Sequence, residues 1–175
     1  DGSVDEYYVV VTVKEASTGD NTGGNTPSED VDGFKLFDMV DVPAGSFIIG
    51  EDLGTGKKKT GAHKVNISSF QMGKYLVTQR EFQQVMGYNP TLEFTSNDLY
   101  PVNNVTWFEA CMYCNKLSER NGLTPVYTFT GTTYSGNELL DATGITINRN
   151  ANGYRLPTSA EWEYAAKGGP NQDPY

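Results

Sequence analysis

One histidine, His63, and two cysteines, Cys111 and Cys114, are the only strong soft-metal ligands in 175 residues. A zinc site of the usual four-ligand make-up therefore cannot be assembled within one chain. Basic side chains are scarce as well, with 13 Lys and Arg against 22 Asp and Glu and a net charge of -9. Nucleic acid is excluded as an expected partner, because the phosphate-neutralising surface is missing. No apolar run approaches the length of a membrane-spanning helix. Gly-x-Ser-x-Gly, the phosphate loop and the dinucleotide fingerprint are all absent, so nothing points to the chemistries those motifs serve. The first residue is Asp1 and no charged-then-apolar signal segment follows it, which suggests an excised piece or a mature product.

Turn-forming residues, by contrast, are plentiful. Nineteen glycines and 11 tyrosines, with many Asn, Thr and Ser, suit a loop-rich domain whose turns use left-handed positions and local side-chain hydrogen bonds. Tyr7 to Val13 alternates loosely and reads as a strand. Residues 1–16 are expected to end an upstream β module, such as a β-sandwich, or to form an arm that pairs with the main domain. Residues 17–33 read as a flexible linker, since Ser17 to Asp30 contains no apolar residue. The main domain is expected over 34–175. Met39 to Val42 and Ser46 to Ile49 read as a hairpin turning at Pro43-Ala44-Gly45. The run Lys57-Lys58-Lys59 falls in an exposed loop, and Val65 to Tyr75 reads as a third strand.

Three helix starts repeat one device. Thr78 with Glu81, Thr106 with Glu109 and Thr158 with Glu161 each form a reciprocal capping box. Behind the first, Phe82, Val85 and Met86 supply a buried side that Gly87 ends; behind the second, Ala110, Cys111, Cys114 and Leu117 form one stripe that Asn121-Gly122 stops. The third is the most fully punctuated. Asn152-Gly153 supplies a turn, Pro157 keeps Leu156 extended, and Gly168-Gly169 offers a left-handed stop. Trp162, Ala165 and Ala166 are predicted on its inward side. Between the second and third helices, Val126 to Thr130 and Ile145 to Ile147 suggest an inserted hairpin or flap.

Chemistry is harder to find. Cys111 and Cys114 lie one turn apart in a helix, where rigid backbone disfavours a bridge; a buried thiol pair is expected, with a redox or metal role as the alternative. Asn148, Asn150, Asn152 and Gly153 mimic the spacing of a calcium loop, but Ser159 occupies the twelfth position and amides replace carboxylates, so a turn is the better reading. Arg155 is expected to pair with one carboxylate of Glu161 and Glu163 or to bond loop carbonyls, as structure rather than acid-base chemistry. His63 has no partner signature. Trp107 and Trp162 are expected as core anchors, with an aromatic-floored cleft as the alternative. Tyr100, Tyr113, Tyr127, Tyr134 and Tyr164 are the candidates for an exposed recognition surface.

Three blocks in order carry a family resemblance: Phe70-Gln71-Met72-Gly73-Lys74-Tyr75-Leu76-Val77-Thr78, Pro101-Val102-Asn103-Asn104-Val105-Thr106-Trp107-Phe108-Glu109-Ala110, and Tyr154 to Gly169. Together they resemble the formylglycine-generating enzyme family, also called the sulfatase-modifying factor family. Leu76 is a departure, since many relatives carry Glu or Pro there. The resemblance implies an α+β domain of C-type-lectin-like fold, irregular, with small antiparallel sheets. It covers roughly Met39 to Gly169 and looks like the N-terminal two-thirds of the family domain. In formylglycine-generating members the copper-holding cysteines and the calcium-binding loops come after the segment matching Asn152 to Gly169. The resemblance therefore gives Cys111 and Cys114 no catalytic role, and this chain no catalytic, cofactor or metal residue. Copper and calcium are expected only if the full-length family domain is catalytic. Two functions follow as expectations: a non-catalytic binding or structural module of an exported or cell-surface bacterial protein, with a protein or peptide ligand, as in diversity-generating retroelement variable proteins; or part of an oxidase converting a sulfatase cysteine to formylglycine. Thr78, Glu81, Thr106, Trp107, Glu109, Arg155, Thr158, Glu161 and Trp162 are assigned to structure.

Overall fold

The computed structural model describes residues 12–14, 38–50, 61–93, 96–136 and 138–171. The linker 17–33, most of the Tyr7 to Val13 strand, and the lysine run lie outside the described residues. In order come β1 (Thr12–Lys14), β2 (Met39–Val42), β3 (Gly45–Ile49), β4 (His63–Ile67), β5 (Phe70–Gly73), α1 (Gln79–Met86) and α2 (Trp107–Arg120). They are followed by β6 (Tyr127–Ser135), β7 (Glu138–Ile147), β8 (Tyr154–Arg155), α3 (Ser159–Ala166) and a 3-10 turn at Gly169–Asn171. The architecture is α+β, with three capped helices among small antiparallel sheets.

One sheet has the strand order β2-β5-β1-β8, and two strand pairs, β3-β4 and β6-β7, stand beside it. Thr12–Lys14 of β1 pairs with β5 on one side and β8 on the other. The expected hairpin of β2 with β3 does not form. β2 pairs with β5, and β3 pairs with β4, so the chain changes sheets at Pro43-Ala44. Proline has no amide to continue a ladder, and its carbonyl accepts from the Tyr164 hydroxyl at 3.2 Å. Gly45 then passes directly under that hydroxyl, where a Cβ would overlap it. The single third strand predicted for Val65 to Tyr75 is likewise divided between two sheets, as β4 and β5.

All three capping boxes are closed in both directions. Gly87 ends α1 with φ 88, and Gly122 follows α2 with φ 67. The main core brings Phe82, Val85 and Met86 of α1 against Ala110, Cys111, Tyr113, Cys114 and Leu117 of α2. Phe82 stacks on Tyr113, with ring centroids 5.3 Å apart and planes within 5°. A second, smaller core of Val42, Phe47, Phe70, Met72 and Tyr164 lies between the sheets and α3.

β6 and β7 form the flap predicted between α2 and α3, but the paired strands run on through the polar stretch that the sequence suggested as their connection. Thr130 and Thr143 exchange side-chain bonds with each other's backbone, which adds to the ladder between the two strands. The flap is fastened at its root by Asn115 of α2. Its side-chain amide donates to the Tyr127 carbonyl at 2.6 Å and its oxygen accepts the Tyr127 amide at 3.0 Å, so one buried side chain acts as a strand partner.

Candidate functional site

The described residues bring most titratable groups of potential interest to the junction of α2, β6 and β8. Cys111 and Cys114 face the core from one side of α2 and are fully buried free thiols. Burial pushes the Cys111 thiol up to about 12, against the opposing pull of its hydrogen bond with the Tyr127 hydroxyl. Burial raises Cys114 well above the ordinary thiol value, and the neighbouring Cys111 adds to the effect. The same hydroxyl accepts the Leu156 amide at 2.9 Å, and the Trp107 ring meets the Tyr127 ring edge-on at 6.5 Å. Thiolate is the nucleophile and the metal-binding form, and burial in the core disfavours it at both positions.

Arg155 continues the same edge. Its guanidinium forms a two-pronged pair with Glu161, at 2.7 Å to Oε2 and 2.5 Å to Oε1, while Oε2 also accepts the Thr158 amide at 2.8 Å and hydroxyl at 3.0 Å. Burial alone would raise the Glu161 carboxyl, but the Arg155 guanidinium and the Thr158 donors outweigh it and hold the group below its ordinary value. Arg155 is correspondingly raised, chiefly by its bond to Glu161. The pair fastens β8 to the start of α3. A carboxylate with a lowered folded pKa stabilises above its unfolded value of about 4.3 and loses that contribution as pH falls through the folded value. Glu161→Gln is accordingly expected to destabilise most near neutral pH, with its denaturation midpoint converging on that of the wild type in acid; parallel pH profiles would contradict the assignment.

The other capping carboxylates serve structure too. Glu109 is buried and receives the Thr106 amide at 2.7 Å, the Thr106 hydroxyl at 2.9 Å and the Tyr88 hydroxyl at 2.5 Å. Glu81 receives the Thr78 amide at 2.7 Å and its hydroxyl at 2.8 Å. Glu163 does not join Arg155; it accepts from Lys167 at 2.8 Å and from the Gly50 amide at 3.3 Å.

Asn148, Asn150 and Asn152 do not converge on a cation. The Asn148 side-chain oxygen accepts the Asn150 amide at 3.1 Å, and that of Asn152 accepts the Thr124 amide at 2.9 Å. These are turn contacts, and with no carboxylate among them they do not fit calcium. Gly153 is required by close approach. A Cβ there would run into the Thr124 carbonyl and into Ser118, whose hydroxyl accepts the Tyr154 amide at 2.8 Å. His63 is exposed on β4 and meets the Gly61 carbonyl at 2.6 Å. No group of three or more His, Cys, Asp or Glu that could hold a metal occurs among the described residues.

The aromatic expectations need the largest correction. Trp162 is 55% exposed and is not a core anchor; Trp107 is 41% exposed. The inward side of α3 is set by Tyr164 and Ala160, four residues apart, and Trp162 lies two residues from each, about 200° around the helix. Ala165 packs at the margin of this core and Ala166 is exposed. Three of the five recognition tyrosines are also displaced: Tyr113, Tyr127 and Tyr164 are buried, and only Tyr100 and Tyr134 are exposed. Asn115, Ser118 and Tyr88 escaped notice because isolated polar residues in helices and loops carry no spacing signal.

A family model described as "Sulfatase-modifying factor enzyme 1-like domain" matches residues 25–175. A protein of Paenibacillus barcinonensis named "Chaperone protein LppX" is 41% identical over 153 residues, covering 85% of this chain and 49% of that protein. Among solved structures, Treponema denticola variable protein 1 superposes with a TM-score of 0.59 at 32% identity, over 76% of this chain and 53% of that one. The crystal structure of CarF superposes with a TM-score of 0.58 at 27% identity, over 76% of this chain and 57% of that one. The chain thus spans about half the length of the relatives it matches.

Proposed function

We propose that this chain, which belongs to the family of sulfatase-modifying factor enzyme 1-like domains, acts as a non-catalytic scaffold that binds protein segments in an exported or cell-surface bacterial protein. The observation that carries this reading is a division of roles. Groups able to do chemistry are locked inward, as buried high-pKa thiols and paired carboxylates, whereas Trp107 and Trp162 expose indole surface at the N-terminal ends of two capped helices. Amphipathic rings on a rigid frame suit recognition of polypeptide at small entropic cost. A relative named as a chaperone is consistent with a protein ligand. No resident cofactor is proposed for this chain.

The direct test is suppression of aggregation. Light scattering from chemically unfolded lysozyme should fall as the protein approaches equimolar amounts, and less so with Trp107→Ser and Trp162→Ser. Unchanged scattering would remove the reading. Consistent with its inert thiols, the native protein should not react with iodoacetamide at pH 8, while the unfolded chain alkylates at both cysteines. Rapid native labelling would return Cys111 or Cys114 to the list of chemical groups.

A second reading has a specific basis in the family description, which names an enzyme, and in the half-length coverage of the relatives. In it the chain is the N-terminal part of a copper-dependent oxidase that makes formylglycine, with the reaction centre elsewhere in the longer protein. The test therefore uses the longer protein that this reading requires: under the proposal it yields no formylglycine from a sulfatase-motif cysteine peptide with copper and oxygen, and a measured product would favour the oxidase.

A further inference from the structure

The chain contains two Asn-Gly pairs, Asn121-Gly122 and Asn152-Gly153, and the fold treats them in opposite ways. Such a pair is open to attack by the glycine nitrogen on the asparagine side-chain carbon, because glycine has no Cβ to shield that nitrogen. At the end of α2 the attack is blocked. Asn121 has ψ 11, which turns the Gly122 nitrogen away from the Asn121 side chain, and the Gly122 amide is engaged with the Glu119 carbonyl at 3.1 Å. The Asn121 side-chain nitrogen, which would be the leaving group, donates to the Leu117 carbonyl at 2.8 Å. Asn152 is held by its other atom. It is exposed between the buried Ala151 and Gly153, and its Oδ1 accepts the Thr124 amide at 2.9 Å. Glycine is imposed at 153 by the Thr124 carbonyl and the Ser118 side chain, so packing itself requires the susceptible pair. A donor on Oδ1 polarises the side-chain carbonyl and faces the oxygen on which negative charge develops when Cγ becomes tetrahedral.

We propose that Asn152 is a site of spontaneous covalent modification, a slow clock whose isoaspartyl product unfastens β8 from α2. The Gly153 nitrogen, after losing its proton to hydroxide, bonds to the Asn152 Cγ; the Cγ–Nδ2 bond breaks, Nδ2 takes a proton from water and leaves as ammonia, and a succinimide ring closes. Water then opens the ring on either side. Addition at Cγ gives aspartate, whose carboxylate keeps the Thr124 amide in a charge-assisted bond. Addition at the backbone carbonyl gives isoaspartate, in which the main chain runs through Cβ and Cγ and is longer by one methylene. That methylene has no slack to enter. Ala151 is buried in the main core, Gly153 fits closely against Thr124 and Ser118, and the Tyr154 amide is bound to the Ser118 hydroxyl at 2.8 Å. The longer chain pulls this last bond apart and shifts Arg155 from Glu161, the pair that fastens β8 to α3. Modification therefore disorders the helix that presents Trp162, whether or not that ring binds protein.

The experiment compares the two pairs with each other in the full chain, folded and urea-unfolded, during incubation for days in mildly alkaline buffer. Peptide mapping by mass spectrometry reads the replacement of NH2 by OH at each asparagine and separates isoaspartyl from aspartyl peptides. In the unfolded chain the two sites should react at similar rates. In the folded protein Asn152 should react faster than Asn121 by about tenfold, the order that one or two net hydrogen bonds supply. Equal rates in the folded protein, or a faster Asn121, would overturn the site. The consequence is read separately. The isoaspartyl form, isolated by ion exchange, should unfold at a lower urea midpoint than Asn152→Asp, which should keep the wild-type midpoint. Equal midpoints for the isoaspartyl form and Asn152→Asp would overturn the unfastening of β8.

Discussion

Tyr164→Ala is expected to lower stability by roughly 3–5 kcal/mol, the usual cost of emptying an aromatic core position, while Trp162→Ala changes it by about 0.5 kcal/mol or less. The two residues are two positions apart on α3, yet one is 0% and the other 55% exposed. Tyr164 packs on Phe47 with ring centroids 5.5 Å apart, reaches the Pro43 carbonyl, and fills the space that Gly45 leaves open. Its removal would loosen β3 and the smaller core together. Phe at 164 should recover most of the loss, since only the 3.2 Å hydrogen bond is forfeited. Urea midpoints for the three variants decide the matter. A large loss with Trp162→Ala and a small one with Tyr164→Ala would mean that α3 is rotated from the orientation described here.

Asn115→Leu should cost roughly 2–5 kcal/mol although the branching and heavy-atom count of the side chain are kept. The substitution leaves the amide and carbonyl of Tyr127 without the partner that serves both, and each buried backbone group stranded in this way costs about 1–3 kcal/mol. Tyr127 in turn covers Cys111 and holds the Leu156 amide, so loosening the flap root should also accelerate alkylation of Cys111. Equilibrium denaturation reports the first effect and timed thiol labelling the second. Wild-type stability in Asn115→Leu would show that the flap is anchored elsewhere.

Local order was legible wherever a few adjacent residues decide it. The Thr-x-x-Glu boxes, the glycine stops of α1 and α2 and the stripe of α2 could be read directly, because a cap needs only four consecutive residues and a stripe only helical spacing. The inward side of α3 was not legible in that way. Trp162 with Ala165 and Ala166 makes as good a helical stripe as Ala160 with Tyr164, and only the sheets packed against the helix choose between them. The hairpin expected at Pro43-Ala44-Gly45 failed for the same reason: two β-prone runs around a turn look alike whether they pair with each other or with distant partners.

The candidate site divides along the same line. Sequence alone determined family and helix caps, since each depends on residue types at short, fixed spacing, whereas the choice of Glu161 as the carboxylate partner of Arg155 came from the structure. Tertiary structure decided what is buried and what is offered to solvent. It enclosed Cys111 and Cys114 where burial keeps them protonated, turned Trp162 outward, and set Thr12–Lys14 between two strands of the domain. Burial and strand pairing are properties of surfaces brought together from distant parts of the chain, so no local pattern could carry them.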